Sequence, residues 1–416
     1  MFTSLRVRNY RLYAAGQVVS NTGTWMQRVA QDWLVLNLTH GSGTALGITT
    51  ALQFLPMLLF SLWGGAVADR YSKRRVLMVT QAAMGTLALV LGILALTGVV
   101  RIWQVYALAF VLGLITVVDN PTRQTFVTEM VGRDHMPNAI ALNSASFNLG
   151  RITGPAVAGL VISAVGTPVA FVVNAASFVA VLAGLKLMRP AELRPAPPVP
   201  RQRGQLRQGL RYVRSQPRLW MLMLLVFFVA TFGMNFQVTT ALMSRGVFHT
   251  GAGAFGLAST AFAVGALGGS LLAAGRRRPG LRLLLLTAFA FGLMEAVAGL
   301  MPAYLSFVAA LVPTGLALLT FNTAANAVTQ LSTSPEMRGR VMGLYLLVFL
   351  GGTPLGAPLI GWLAQQFGPR MSLVAGGLVS AAAAVGVGAI LARSRGEQAR
   401  RYLLPRTYLR PRAETS

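Results

Sequence analysis

Gly65-Ala66-Val67-Ala68-Asp69-Arg70-Tyr71-Ser72-Lys73-Arg74-Arg75 is a short burst of charge between two long apolar runs, 46–68 and 76–98. Each run exceeds the ~20 residues with which an α-helix crosses about 30 Å of hydrocarbon. The stretch therefore reads as a tight loop between two membrane-spanning helices, and its cations place it on the cytoplasmic side. Working outward, ten more apolar segments follow the same pattern, at 12–38, 102–122, 138–164, 167–188, 218–243, 252–274, 281–300, 303–330, 340–365 and 370–392. Of the 36 Lys and Arg, 31 fall in alternate gaps or in the tails, three (Arg101, Arg245, Arg370) in the other gaps, and two (Arg28, Arg151) inside helices. With twelve crossings, both termini are expected in the cytoplasm.

Composition supports this reading. A chain of 416 residues with 54% hydrophobic residues, 11% charged residues and a mean hydropathy of +0.61 has more apolar surface than a soluble domain can bury. The runs are too long for the ~10-residue alternating strands of a barrel, so an all-α membrane protein is expected. The net charge of +26 is spread over loops and tail, which fits membrane orientation and contact with anionic lipids rather than nucleic-acid binding. The absence of cysteine excludes disulfides and thiolate chemistry. The first apolar segment follows Arg6, Arg8 and Arg11 and lacks a small-residue cleavage signature, so it is expected to remain as the first helix. His40, His135 and His249 are read as loop residues, and no HExxH, GxSxG or phosphate-cradling loop is present. No enzymatic activity, cofactor or metal is expected, and no ATP-driven step within the chain.

The organisation reads as six helices (1–188), a basic and Pro-rich linker (189–217), six more helices (218–392) and a basic tail (393–416). The linker holds Pro190, Pro195, Pro197, Pro198 and Pro200, then a helical-looking basic stretch with Leu206, Leu210 and Val213, which suits a cytoplasmic tether with a possible interfacial helix. Sliding the chain by 202 residues aligns Asn120 with Asn322, Gly150 with Gly352, Gly154 with Gly356, and Gly159 with Gly361. With an even number of helices per half, such repeats are parallel and related by an axis along the membrane normal.

The loop quoted first resembles motif A of the major facilitator superfamily, GxxxDRxGRK, with Ser72 in place of the second glycine. That resemblance implies a gating latch made by Gly65, Asp69, Arg70, Lys73 and Arg74. The matching place in the second half, Gly268 to Arg278, keeps the cations of Arg276, Arg277 and Arg278 but lacks the acid. Gly150-Arg151-Ile152-Thr153-Gly154-Pro155-Ala156-Val157-Ala158-Gly159 resembles motif C, GxxxGPxxGG, which in this superfamily accompanies antiporters; Gly150, Gly154, Pro155 and Gly159 join the gating set on that basis. Four further stretches resemble the enterobactin-exporter and macrolide-efflux branch over nearly the whole chain: Ser4 to Tyr13, Gly23 to Trp33, Asp119 to Phe126, and Arg338 to Tyr345. The fold this implies is twelve transmembrane helices in two pseudo-symmetric six-helix bundles, with helices one, four, seven and ten lining a central cavity. The helix-four arginine of neighbouring drug–proton antiporters is absent, since Ala109 stands four residues before Gly113.

Polar residues recur where that cavity is expected. At 100° per residue, Gln17, Asn21, Thr24, Arg28, Gln31 and Asp32 share about a 100° arc of helix one. Helix four offers Thr116, Asp119, Asn120 and Arg123; helix seven Thr231, Asn235 and Thr239 beside Phe228 and Phe232; helix ten Asn322, Asn326, Thr329 and Gln330. Candidate substrate contacts are Gln17, Asn21, Arg28, Gln31, Asp119, Asn120, Phe232, Asn235, Asn322 and Asn326, although such amides and hydroxyls also join helices by hydrogen bonds. Charged groups are costly in the membrane and mark function, so Asp32, Arg151 and Asp119 are the candidates for proton coupling, with Asp32 pairing with Arg28 or Arg151. Glu295 ranks below Asp32. The reading is a monomeric secondary exporter in a bacterial inner membrane that moves a small amphipathic drug, siderophore or metabolite against protons. An importer or lipid flippase of the same fold, or a non-transporting sensor, are the alternatives.

Overall fold

A computed structural model describes residues 3–194, 205–274 and 280–403. Pro195, Pro197, Pro198 and Pro200 of the tether, Arg276, Arg277 and Arg278 of the second repeat, and the tail from 404 onward lie outside the described residues.

The chain is nearly all helix: α1 Arg8–Leu38, α2 Gly43–Arg70, α3 Lys73–Leu96, α4 Ile102–Val165, α5 Thr167–Leu187, α6 Gln205–Ser215, α7 Pro217–Phe228, α8 Phe236–Leu242, α9 Ala252–Ala274, α10 Leu281–Leu300, α11 Tyr304–Leu331, α12 Arg338–Phe367 and α13 Pro369–Leu403. Among the described residues, eleven helices are long and apolar enough to cross a membrane. The 31-residue α1 is not among them, because the polar stripe that makes it interesting also lowers its hydropathy. Around the outside Val79, Leu160 and Leu305 are each at least 70% exposed. A belt of bare aliphatic side chains of this kind is stable against lipid and unfavourable against water.

Two boundaries and the packing of the tether differ from the sequence reading. The fourth segment does not stop near 122: helix continues through Asp119 to Phe126 as far as Gly132, whose φ of 71° breaks α4 into two arms, Ile102–Gly132 and Asp134–Val165. Glycine is needed there because a Cβ would strain that left-handed backbone. His135, expected in a loop, consequently sits in the first turn of the second arm. The seventh segment, Pro217–Val247, is regular only in α7 and α8 and passes through π-helical turns at Val229–Gly233 and Met243–Val247. The amphipathic part of the tether, α6, buries Val213 completely in the core formed by α7 to α13, and Gly209 meets the Arg340 backbone. Leu210 and Val213 of its apolar stripe therefore pack on protein.

The 202-residue repeat appears in three dimensions. Gly150 and Gly154 bring the second arm of α4 against α1, where added Cβ atoms would lie 2.9 Å from Asn21 and from the Thr22 carbonyl. Gly352 and Gly356 bring α12 against the Val229–Gly233 turn at Ala230 and Thr231 in the same manner. Gly159 meets Gly253 of α9, and Gly361 meets Gly43 of α2. Missing side chains let backbones approach where lipid offers no hydrophobic drive for helix association. The offset extends into the following turns, since Gly166 and Gly368 are 202 apart with φ of 89° and 90°.

One end of the molecule is knit more tightly than the other. At the end that carries residues 37–45, one buried cluster unites Leu36, Ala45, Leu46 and Ile162 with Leu242, Ala252, Phe255 and Ala364. There Ser42 caps α2 by accepting from the Ala45 amide and donates its own hydroxyl to Gln365 at 2.8 Å, while Arg245 donates to Asn37. The buried cluster at the opposite end, around Tyr10, Leu77, Phe126 and Leu185, draws only on residues before 194.

Candidate functional site

Helix α1 runs past every candidate element, and its stripe makes a different contact at each turn. Gln17 accepts from Arg123 of α4 at 3.3 Å, Asn21 donates to Ser146 at 3.0 Å, and Gln27 accepts from Asn174 of α5. These amides join helices, and Gln17 and Asn21 account for part of the stripe as structure. Gln31 is buried, with no hydrogen-bond role to separate it from them.

Asp32 is different. It is 3% exposed and accepts a hydrogen bond from Gln237 Nε2 of α8 at 2.7 Å, a tie between two elements 205 residues apart. The expected pairing with Arg28 or Arg151 does not form: neither arginine lies within ion-pair distance of an acid among the described residues. One turn of helix separates Arg28 from Asp32, and the Arg28 side chain turns to aromatic rings instead. Its guanidinium carbon sits 4.7 Å from the centroid of Trp25 and 5.8 Å from that of Phe54 on α2, with Nε buried and without a hydrogen-bond partner. Arg151 lies on the same indole at 5.7 Å and on Phe262 of α9 at 5.8 Å. Phe262 stacks in turn on Phe236 at 4.5 Å. Near Arg151, Pro155 has no amide hydrogen to offer the preceding turn, and Thr260 of α9 donates to the Ile152 carbonyl at 3.3 Å.

Asp119 is fully buried and committed. Arg123 pairs with it from one turn away, while Thr80 and Gln81 of α3 donate to its other oxygen at 2.7 and 2.8 Å. Neighbouring Asn120 is half-buried. On the broken seventh segment, Asn235 donates to the Thr231 carbonyl at 2.8 Å and its own buried carbonyl has no partner; Phe232 stacks on Phe228 at 6.3 Å. On α11, the Asn322 carbonyl is also buried without a partner, and Asn326 accepts from Gln330 at 2.7 Å. These residues are not in contact with the Arg28–Arg151 cluster through any hydrogen bond. Glu295 is buried between α10 and α13, with Oε2 unpartnered.

In the motif-A loop Gly65 is buried, and Asp69 and Arg70 are exposed. Lys73 forms an ion pair with Glu129 at 2.6 Å, and Arg74 donates to the Leu185 and Lys186 carbonyls at 2.7 and 3.2 Å, so both cations anchor α3 to α4 and α5. Sequence reasoning missed Trp25, Phe54, Phe262, Gln237, Glu129 and the Thr80–Gln81 pair. Gln81 and Gln237 were detectable as amides inside apolar spans; the aromatic residues were not, since lipid-facing helices carry many.

The family model described as transmembrane secretion effector matches residues 1–402. The chain belongs to this family. It is a multi-pass membrane transporter of the major facilitator type and not an enzyme. The enterobactin exporter EntS of Citrobacter koseri is 27% identical over 394 residues, covering 93% of this chain and 92% of that protein. The staphyloferrin A transporter of Staphylococcus aureus is 30% identical over 167 residues, a match that spans 40% of this chain and only 42% of that relative. In fold, this transporter is similar to a bacterial homologue of the human lysosomal transporter Spinster in an inward-facing conformation (TM-score 0.72, 17% identity, 91% of this chain and 96% of that one). It is also similar to the nucleoside transporter NupG (TM-score 0.74, 13% identity, 92% and 99%).

Proposed function

We propose that this transporter is a secondary exporter that moves a small amphipathic molecule, such as a drug, a siderophore or another metabolite, out of a bacterial cell in exchange for protons. The proposal places it as a monomer in the inner membrane with both termini cytoplasmic and the basic loops on anionic lipid. Its twelve spans form bundles 1–188 and 218–392, linked by 189–217 and followed by the cytoplasmic tail 393–416. The closed end carrying Ser42, Gly43 and Gln365 then faces outward.

The observation that carries the reading is the Asp32–Gln237 hydrogen bond, because it joins the two bundles at a titratable group. A hydrogen bond to a carboxylate is worth about 1.5–3 kcal/mol. Protonating Asp32 weakens that tie and removes the only anion within a turn of Arg28. Loss of the tie favours separation of α1 from α8, so proton occupancy biases the inward-open and outward-open populations. Motif C and the similarity to enterobactin exporters support outward transport.

Proteoliposomes loaded with radiolabelled enterobactin or staphyloferrin A, with an imposed pH gradient, test this. Flux against the proton gradient in the wild type that vanishes in Asp32→Asn, at equal reconstitution, is expected. Full gradient-driven flux in Asp32→Asn removes Asp32 from the scheme, and flux insensitive to the gradient removes antiport.

A further inference from the structure

We infer that the Arg28–Trp25–Arg151 cluster is an anion-binding site and that the transported molecule is an amphipathic organic anion, bearing carboxylate or catecholate groups, rather than a cationic drug. This rests on the exporter reading above and narrows its substrate.

Each intramembrane arginine costs about 2.5–3.5 kcal/mol at mid-membrane even on the mildest scales. Proteins meet that cost with acids, as this one does elsewhere: Arg123 pairs with Asp119, which Thr80 and Gln81 also hold. Among the described residues, Arg28 and Arg151 receive no such partner. The nearest acid, Asp32, is turned toward Gln237. The two guanidinium groups share one indole face system, 4.7 and 5.7 Å from its centroid. Cation–π contact stabilises each by about 2 kcal/mol when desolvated, but it occupies the flat face and leaves the N–H edge free. That edge is the part of the side chain that matches a carboxylate or catecholate in bidentate fashion.

The surroundings fit the rest of such a molecule. Trp25, Arg28, Phe54 and Arg151 are each partly exposed, so packing does not seal the cluster completely. Phe54, Phe262 and Phe236 provide apolar walls on α2, α9 and α8. Two positive charges against one committed carboxylate leave a net positive centre, which attracts an anion and repels a cation; discrimination here comes from the repulsive element as much as the attractive one. Because the groups come from α1, α2, α4 and α9, an anion bound between them would contact both repeats and couple occupancy to their separation.

The test is binding to the full chain in nanodiscs by isothermal titration, with enterobactin and staphyloferrin A as anionic probes and ethidium as the cation. Binding of at least one anion, reduced tenfold or more (about 1.4 kcal/mol) in Arg28→Gln and in Arg151→Gln, is expected. A smaller loss in Arg28→Lys, which keeps the charge, separates recognition from misfolding. Failure of both anions to bind, equal affinity in the Gln variants, or ethidium binding of the same strength that the Gln variants leave unchanged overturns the proposal. Binding needs no proton gradient. Intact anion binding without gradient-driven flux therefore sinks the exporter reading alone, whereas gradient-driven flux of ethidium sinks this one alone.

Discussion

Gly159→Ala is expected to tilt the protein away from the form closed at the end that carries Ser42 and Gln365, the end proposed above to face outward. The added Cβ would lie 3.1 Å from both the Cα and the carbonyl oxygen of Gly253, two backbone atoms that cannot rotate aside. The helices must then spread by a few tenths of an ångström, and overpacking of this kind costs about 1–3 kcal/mol. The cost applies only while α4 and α9 are in contact, so it acts on one conformation and shifts the equilibrium roughly 5- to 150-fold. The chain has no native cysteine, which makes the assay direct. Ser244, fully buried at the same end, is replaced by Cys, and its rate of labelling by a membrane-impermeant maleimide reports the outer-open population. A rise of at least fivefold in Gly159→Ala is expected. Gly150→Ala is the control: its Cβ would meet Asn21 and Thr22 of α1, within one repeat, and should lower thermal stability without raising the labelling rate. An unchanged rate in Gly159→Ala, or an equal rise in Gly150→Ala, refutes the assignment of Gly159 to the moving interface.

Gln365→Ala removes the acceptor for the Ser42 hydroxyl at 2.8 Å and the Thr44 amide at 3.2 Å; at about 0.5–1.5 kcal/mol net it should raise Ser244→Cys labelling roughly two- to tenfold, and no change would mean that these bonds do not hold the end shut. Lys73→Ala leaves Glu129 only 5% exposed and without its cation, a loss of about 3–5 kcal/mol that a thermal-shift measurement in detergent should register as a clear fall in Tm; an unchanged Tm would show the pair to be energetically idle. Gln237→Leu should alter the pH dependence of transport, by removing the donor to Asp32, while leaving expression intact; a superimposable pH profile argues against the tie between α1 and α8. Cysteines placed singly at Arg70, in the tether and in the tail should all be labelled from the cytoplasmic face, and labelling from opposite faces would break the topology.

Much of the fold was legible because a membrane simplifies the code. Runs of about twenty or more apolar residues mark where helices long enough to cross a membrane lie, and the placement of arginines along the chain gives an expectation of which loops share a side; both are local properties of the sequence. The three cations off the pattern have local work: Arg245 binds Asn37, Arg370 donates to the Gly299 and Met301 carbonyls, and Arg101 begins α4. The repeat was legible too, since glycines required for backbone contact recur at 202 residues and reappear as paired close approaches and as the matched turns at Gly166 and Gly368.

Partnership was another matter. Helical spacing placed Arg28 and Asp32 on one face and invited an ion pair, yet a turn of helix only brings two side chains near each other. The rings of Trp25 and Phe54, and an amide on a helix more than two hundred residues away, decided where each one went. Likewise Asp119 looked like a cavity residue until Thr80 and Gln81 closed around it from α3. Sequence by itself determined the membrane class, the segment pattern and the repeat, because these follow from hydropathy and periodicity along one chain. Only tertiary structure decided which buried charges are neutralised and which stay open to a ligand, because that depends on atoms that distant helices bring within a few ångströms.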